Sequence, residues 1–259
     1  MLSKKQKQLI ASMAQKKQRN HTQLFLAEGE KCVKDFLNEN FIAHLVVHTE
    51  SWTPPSRINP STALVQVTKE ELSKTSLLKT PQNVLALFKQ PIFDINNNAI
   101  ANRLSIALDG IQDPGNMGTI IRLADWFGIE NIICSMDTVD WFNPKVVQAT
   151  MGAMSRIKVH YVELKNYLQT YQASTGHQIY GAFLEGEDLY TSKLSPKGII
   201  VMGNEGNGVR KDVADLVTKK ITIPSFSTQQ NSSESLNVAT ATAIICAEFR
   251  RSLNYNKTK

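Results

Sequence analysis

A buried strand that leads through a turn directly into a helix is the feature that most constrains the fold of this chain. Residues 104–108 form a short apolar run, typical of a strand covered on both faces of a parallel sheet. The Asp-Pro-Gly sequence at 113–115 favours a turn, and Asn116 stands where the N-cap of a helix is expected. The pattern predicts a helix from Asn116 to Gly128, where glycine provides a left-handed cap. This order of elements indicates an α/β fold.

Arg122 lies in the predicted helix, and the residues leave two interpretations of it open. Gly118 precedes it by one turn, so a large anion could approach the helix backbone and the guanidinium together. Alternatively, Arg122 pairs with Asp125 at i, i+3 spacing on a solvated face. The segment by itself favours the ion pair. An apolar stripe at helical spacing predicts the buried face, and it consists of Met117, Ile120, Ile121, Ala124 and Phe127.

A second predicted strand ends in a glycine-rich loop at residues 198–208, with the sequence GIIVMGNEGNG. The loop presents one acid, Glu205, before a predicted helix from Val209 to Val217. Ligands of parallel sheets bind at such strand ends, although a plain turn is the alternative. The glycine order differs from the dinucleotide fingerprint and the strand is not the first of its domain, so a nicotinamide site is not expected.

A third segment joins a strand that ends at Ile223 to an alanine-rich helix with the sequence SESLNVATATAIICAEFRR. Ser233 or Ser235 is predicted to cap this helix. Ser235 and Asn237 either hydrogen-bond a substrate or serve only as caps, and the residues leave both roles open.

The pattern of elements predicts two domains. Residues 1–90 form a small α/β domain, residues 91–103 a polar linker, and residues 104–259 a second domain in which strands and helices alternate, as in an open parallel sheet. The first domain is predicted to have strands at 24–27, 42–48 and 84–88 and helices at 30–38 and 69–77. The second is predicted to have strands at 104–108, 131–134, 178–183, 198–202 and 220–223, and a helix beginning at Asn143-Pro144.

Composition narrows the class of protein. The chain has 259 residues, of which 42% are hydrophobic, enough to bury a core. No run approaches the roughly 18 apolar residues of a membrane span, and the first residues lack a signal-peptide pattern, so a cytoplasmic chain is expected. The three scattered cysteines are expected to be reduced core thiols, and the histidines form no metal-binding pattern.

The net charge of +6 is concentrated at the front of the chain. The first 19 residues contain six basic side chains and no acid, around the apolar Leu9, Ile10 and Met13. A basic helix is therefore predicted, which either neutralises phosphates of a nucleic acid or is simply solvated. Its basic residues are Lys4, Lys5, Lys7, Lys16, Lys17 and Arg19.

Taken together, three segments of the chain resemble the three motifs of the SpoU/TrmH-type RNA 2′-O-ribose methyltransferases of the SPOUT superfamily. They are LDGIQDPGNMGTIIRLADWFG, VMGNEGNGV, and Ile-Pro followed by SLNVATATAI, in that order. The intervening DWFNPKVVQATMGAMSRIKV is similar to the middle segment of the family, and the front half resembles its substrate-binding domain. The resemblance implies an α/β protein with a small L30e-like N-terminal domain and a C-terminal parallel-sheet domain that contains a deep trefoil knot.

The resemblance also implies a function and its residues. The expected activity is transfer of a methyl group from S-adenosylmethionine to a ribose 2′-hydroxyl of structured RNA, rRNA rather than tRNA, by a homodimer that needs no metal. Catalytic roles would belong to Asn116, Arg122, Glu205, Ser235 and Asn237. The cofactor would be held by loops containing Gly203, Asn204, Glu205, Gly206, Ile223, Leu236 and Asn237. RNA contacts would come from Lys4, Lys5, Lys16, Lys17, Arg19 and Arg122.

The expected chemistry gives these residues different roles. A guanidinium keeps its proton at ordinary pH, so Arg122 is expected to bind a phosphate and to stabilise negative charge on the 2′-oxygen. Glu205, Ser235 or a water would take the proton. The polar loop from Ser225 to Glu234 is longer than the usual family loop, which bears on cofactor affinity. The alternative is a noncatalytic RNA-binding protein that retains the fold.

Overall fold

A computed structural model describes residues 1–55, 58–227 and 235–255 of the chain. By their contacts the residues form two compact units. Unit 1 consists of Met1–Ile92 with Asp140–Arg156, and unit 2 consists of Phe93–Val139 with Ile157–Lys259. No helix in the described ranges is long and apolar enough to cross a membrane.

Unit 1 is built on a four-stranded sheet, whose strands are β1 (Leu24–Glu28), β2 (Ala43–His48), β3 (Ala63–Gln66) and β4 (Val84–Lys89). The strands lie in the order β1-β4-β2-β3, and only β2 and β3 are parallel. The centre of the sheet is formed by β4 and β2, in agreement with their largely buried apolar runs. The helices are α1 (Lys4–Ser12), α2 (Lys16–Thr22), α3 (Glu30–Asn38), α4 (Lys69–Ser73) and α7 (Pro144–Thr150), with a 3-10 turn at Ala153–Arg156.

The segment Asp140–Arg156, which the sequence prediction assigns to the second domain, packs in unit 1. Phe142 joins an aromatic cluster there, with its ring centroid 5.0 Å from that of Phe25. Asp140 accepts hydrogen bonds from Arg19 at 2.6 and 3.0 Å. An amphipathic helix pattern does not reveal which core covers it, and this explains why the assignment could not be made from sequence.

Unit 2 is built on a six-stranded sheet, whose strands are β5 (Leu104–Asp109), β6 (Asn131–Ser135), β7 (Lys158–Val162), β8 (Ile179–Asp188), β9 (Gly198–Gly203) and β10 (Lys219–Thr222). All strands are parallel and lie in the order β10-β8-β9-β5-β6-β7, which confirms the predicted α/β class with an open parallel sheet. The trefoil knot stays a prediction. The helices are α5 (Asn97–Ala101), α6 (Pro114–Trp126), α8 (Leu164–Thr175), α9 (Lys211–Ala214) and α10 (Val238–Tyr255).

The structure differs from the predicted elements in several places. Strands β3 and β7 were not predicted, and the basic front of the chain forms two helices, not one. The predicted linker contains helix α5. The helix predicted at 209–217 begins only at Lys211, because Arg210 before it has extended backbone, and it ends at Ala214. Cys32, Cys134 and Cys246 are free buried thiols, as expected, and burial raises the pKa of Cys32 to about 12.

Candidate active site

The candidate site lies in unit 2, at the carboxyl ends of the two central strands of the sheet. Strand β5 pairs in parallel with β9, so that Asp109 is opposite Gly203 where both strands end. From β5 the chain continues to β6 and β7 on one side of β5, and it then forms β8 and β9 on the other side. Such a switch in strand order opens a crevice at the carboxyl edge, where α/β sheets bind their ligands.

Helix α6 begins beside this edge, and its cap differs from the prediction. The Asp113 carboxylate accepts the backbone N–H of Asn116 at 2.7 Å, and Pro114 occupies the first turn. Asp113 is therefore the N-cap, and the prediction that Asn116 caps the helix was wrong. Proline is common at the first position of a helix, because the N–H that it lacks would have no partner within the helix there. Pro114 therefore favours a helix that begins directly after Asp113. The Asn116 side chain is released from capping.

Helix α10 is capped by Asn237, not by a serine. The Asn237 Oδ1 accepts the backbone N–H groups of Ala239 at 3.0 Å and Thr240 at 3.2 Å. Ser235 lies before this cap and is exposed, and Ser233, the other predicted cap, lies outside the described residues. Asn237 satisfies two of the otherwise unpaired N–H groups of the first turn.

A row of hydrogen bonds joins Asn237, Asn116 and Glu205. Asn237 Nδ2 donates to Asn116 Oδ1 at 2.9 Å, and Asn116 Nδ2 donates to Glu205 Oε1 at 2.8 Å. The donor and the acceptor of both hydrogen bonds are determined by their neighbours. The Asn237 oxygen already accepts N–H groups of helix α10, so its Nδ2 is the donor, and the ionised Glu205 carboxylate can only accept. Three of the five predicted catalytic residues, one from each motif, are thus brought together.

The loop that carries Glu205 is tightly closed. The backbone groups of Asn204 and Gly208 exchange two hydrogen bonds of 2.9 Å, and Asn204 Oδ1 accepts the N–H groups of Gly206 and Asn207. A Cβ on Gly203 would lie 2.3 Å from the backbone of Gly208. Glycine is required at 203 by this close approach of two backbone segments.

Two charged residues beneath this loop were missed by the sequence analysis. Asp109, the last residue of β5, is fully buried, and its carboxylate accepts the backbone N–H and the Nε–H of Arg210, each at 2.7 Å. This hydrogen bond raises the pKa of Arg210. The available signal was an acid at the end of an otherwise apolar buried strand, since such an acid needs a partner.

Arg122 and Ser235 are not part of the hydrogen-bonded row. Both side chains are exposed. Within residues 1–55, 58–227 and 235–255, Arg122 forms no ion pair with a carboxylate, so the alternative of an Arg122–Asp125 pair was wrong. Its guanidinium is open to an external anion. Gly118, where one interpretation of the sequence had a large anion approach the helix backbone, is buried.

The assignment of residues to the cofactor stays a prediction, and their chemistry is compatible with S-adenosylmethionine. Gly203, Asn204, Glu205 and Gly206 belong to the closed loop, and Leu236 precedes Asn237 with half of its surface exposed, at 50%. An exposed apolar side chain can pack against an adenosine group, and the carboxylate of Glu205 suits a positively charged sulfonium. Ile223 follows β10 and is half-buried. Residues 228–234 of the long polar loop lie outside the described residues.

The predicted RNA-binding residues of unit 1 divide into two groups. Lys4, Lys5, Lys16 and Lys17 are exposed on α1 and α2. Arg19 is only 2% exposed and donates to Asp140 and to the backbone oxygen of Met13, so its assignment to an exposed basic face was wrong. In the described part of the chain, no group of three or more His, Cys, Asp or Glu side chains is placed to hold a metal ion.

Comparison with known proteins identifies the family. The sequence profile of the SpoU rRNA Methylase family matches residues 103–247, more than half of the chain. This chain belongs to the SpoU rRNA Methylase family. The profile of the MRM3-like substrate binding domain matches residues 5–86. The predicted family is therefore confirmed.

Three known proteins illustrate the similarity, one curated sequence and two solved structures. The chain is 29% identical over 236 residues to 23S rRNA (guanosine(2553)-2′-O)-methyltransferase RlmP of Bacillus subtilis (strain 168), covering 91% of this chain and 92% of that protein. A putative RNA methyltransferase of the TrmH family from Porphyromonas gingivalis has 36% identity and a TM-score of 0.87, covering 97% and 99% of the two chains. The AdoMet-bound rRNA methyltransferase from Sinorhizobium meliloti has 29% identity and a TM-score of 0.83, covering 98% and 97%.

Proposed function

We propose that this chain transfers a methyl group from S-adenosylmethionine to a ribose 2′-hydroxyl of ribosomal RNA. The observation that carries the proposal is the row Asn237–Asn116–Glu205, which joins one residue from each motif at the carboxyl edge of the sheet. Membership of the SpoU rRNA Methylase family supports the reaction. The similarity to a protein named as a 23S rRNA 2′-O-methyltransferase supports rRNA over tRNA.

Glu205 is proposed to accept the proton of the 2′-hydroxyl, directly or through a water. When bound, S-adenosylmethionine supplies an electrophilic methyl group. The Glu205 carboxylate is exposed, and Asn116 holds one of its oxygens at 2.8 Å, which leaves the other oxygen able to accept. Serine needs a base of its own before it can accept a proton, so Ser235 is assigned to orienting the hydroxyl or the water.

Arg122 is proposed to bind the phosphate next to the target ribose and to stabilise negative charge on the 2′-oxygen. Its exposed guanidinium is not neutralised by a carboxylate of the described chain, so its charge is available to RNA. A guanidinium can donate two parallel hydrogen bonds to a phosphate, which suits Arg122 for binding one. Because it stays protonated, Arg122 is not the base that accepts the proton of the 2′-hydroxyl.

RNA is proposed to bind unit 1 through Lys4, Lys5, Lys16 and Lys17. Their exposure on the basic front of the chain and the match of residues 5–86 to a substrate-binding domain support this role. When lysines bind phosphates, counterions are released from the RNA. The contribution of these lysines to RNA affinity should therefore depend strongly on the salt concentration.

The family resemblance supports further proposals on assembly. We propose that residues 104–259 contain a trefoil knot and that two copies associate as a homodimer in the cytoplasm, where rRNA is found. Trp126 on α6 is 83% exposed, and a large apolar side chain left in solvent supports contact with a second copy. Sedimentation of the purified chain as a monomer at working concentration would contradict the dimer.

The test of the function is methyl transfer to rRNA from cells that lack this gene. Transfer of labelled methyl from S-adenosylmethionine is expected at one 2′-hydroxyl, and a 2′-deoxy nucleotide at that position should abolish transfer while RNA binding is largely retained. Titration calorimetry with S-adenosylmethionine is run on the same protein. RNA binding without cofactor binding or methyl transfer would instead identify a noncatalytic RNA-binding protein.

A further inference from the structure

We propose that Arg210 is a positioning residue, which holds Glu205 against Asn116 by fastening the Glu205 loop to the buried carboxylate of Asp109. The kinetic part of this inference rests on the proposed function, whereas its structural part rests on the contacts of one loop. Arg210 is not among the residues that the motif resemblance assigns to catalysis or to the cofactor.

The first fastening of the loop is at Arg210. Asp109 Oδ2 accepts the backbone N–H of Arg210 and Oδ1 accepts its Nε–H, both at 2.7 Å, and a second guanidinium nitrogen also contacts Oδ1. One carboxylate therefore fixes both the backbone and the side chain of Arg210. A fully buried carboxylate is costly unless it is paired, so this contact is strongly specified.

The second fastening is at Asn204, on the other side of Glu205. Asn204 Nδ2 donates to the backbone oxygen of Gly110 at 2.7 Å. Asp109 and Gly110 are consecutive, so the end of strand β5 holds the chain both before and after Glu205. Helix α6, which presents Asn116, also follows directly from this strand end.

The loop needs such fastening because it contains Gly206 and Gly208. Glycine gives the backbone more freedom than any other residue, and that freedom would let Glu205 move away from Asn116. A displacement of about 1 Å at a reacting group can lower a rate by about a hundredfold. Arg210 itself is half exposed and acts from beneath the loop, so its effect on the rate is exerted through Glu205.

Substitution of Arg210 tests the fastening in two independent ways. In Arg210→Gln, faster amide hydrogen exchange is expected across residues 203–208 of the protein without cofactor, because the bonds of Gly206 and Asn207 to Asn204 loosen. Single-turnover methyl transfer should fall by about tenfold to a hundredfold, while RNA affinity is retained. Arg210→Lys keeps the positive charge but lacks the planar guanidinium with its several N–H donors. Its rate of methyl transfer should therefore lie between those of Arg210→Gln and the wild type.

Two further variants control for folding. Asp109→Asn combined with Arg210→Gln removes the unpaired buried charge, so its thermal stability should exceed that of Arg210→Gln while its rate stays low. Arg103→Gln removes a surface ion pair with Glu130 in the same unit and should leave both loop exchange and rate at wild-type values.

The route through Glu205 is tested in a Glu205→Ala background. If Arg210 acts by placing Glu205, adding Arg210→Gln should lower the rate no further. Rate losses that multiply would assign Arg210 a merely structural role and overturn the inference, as would a rate within about twofold of wild type with unchanged exchange. If the wild-type chain methylates no RNA, the proposed function fails, and the exchange measurement still decides whether Arg210 fastens the loop.

Discussion

The side-chain nitrogen of Asn116 lies 2.8 Å from the carboxylate of Glu205, although the two residues are 89 positions apart in the chain. This contact connects the helix that follows β5 with the loop that follows β9, the two adjacent strands at the centre of the parallel sheet. Asn237 completes the row from the start of a third element, helix α10. The geometry therefore makes the placement of Glu205 depend on three separate segments.

Asn237 has two roles that a single substitution separates. Aspartate at 237 keeps an oxygen for the N–H groups of Ala239 and Thr240 but has no N–H for Asn116. We expect Asn237→Asp to unfold like the wild type and to transfer methyl about tenfold more slowly, because one orienting hydrogen bond is lost. Thermal unfolding and single-turnover assays measure the two effects.

The matched variant is Asn237→Ala, which loses both roles. It should show the same rate loss and, in addition, a free energy of unfolding lower by about 1 kcal/mol, since the helix cap is removed. Full activity in the aspartate variant would show that the Asn237–Asn116 bond has no part in the reaction.

Gly203 and Gly206 lie in the same loop and should respond differently to alanine. A Cβ at 203 would lie 2.3 Å from the Gly208 backbone, whereas a Cβ at 206 would meet only Asn204 Oδ1 at 3.6 Å. Gly203→Ala is expected to lower the free energy of unfolding by about 1–3 kcal/mol, and Gly206→Ala by much less. Denaturant unfolding without cofactor compares them, and equal stabilities would contradict the described closure of the loop.

Elements with strong local patterns could be predicted from the sequence. Helix α3 spans Glu30–Asn38 in both the prediction and the structure, and the buried strand at 104–108 extends by one residue. Helix caps were harder, because Asp113 and Asn116, or Ser235 and Asn237, are all capable caps placed close together. In the first pair Asp113 is the cap, because Pro114 favours the helix position directly after it. In the second pair Asn237 is the cap, and its side chain also donates a hydrogen bond to Asn116, which lies in a distant segment.

Pairings between distant charged residues could not be predicted. Arg19 has the local setting of a surface basic residue, yet its partner Asp140 is 121 positions away. Asp109 and Arg210 are separated by 101 positions. Residue type and helical spacing carry no information about such partners, so the basic front was predicted to be more exposed than it is, and the fastening of the Glu205 loop was missed.

Arg19 and the exposed lysines of the basic front should therefore behave differently when substituted. Arg19→Gln leaves Asp140 without its partner in a largely buried place, so the free energy of unfolding should fall by about 3 kcal/mol or more. Lys16→Gln should leave stability unchanged, weaken RNA binding, and reduce the salt dependence of log affinity by about one unit of slope. Unfolding curves and RNA titrations at several salt concentrations separate the two. Weaker RNA binding by a fully stable Arg19 variant would contradict the structural role.

His160 on β7 makes stability depend on pH. Its ring is 4% exposed, its Nε2 lies 3.1 Å from Asn131 Oδ1, and burial together with Lys158 lowers its pKa below the ordinary value of 6.5. The unfolded chain therefore binds this proton more readily than the folded chain, so stability is fully present above the unfolded pKa and decreases as the pH falls through and below it. We expect a lower free energy of unfolding at about pH 5.5 than at about pH 7.5. In His160→Gln this part of the decrease should be absent, whereas His21→Gln, at an exposed position, should keep it. An unchanged pH dependence in His160→Gln would show that the histidine does not contribute.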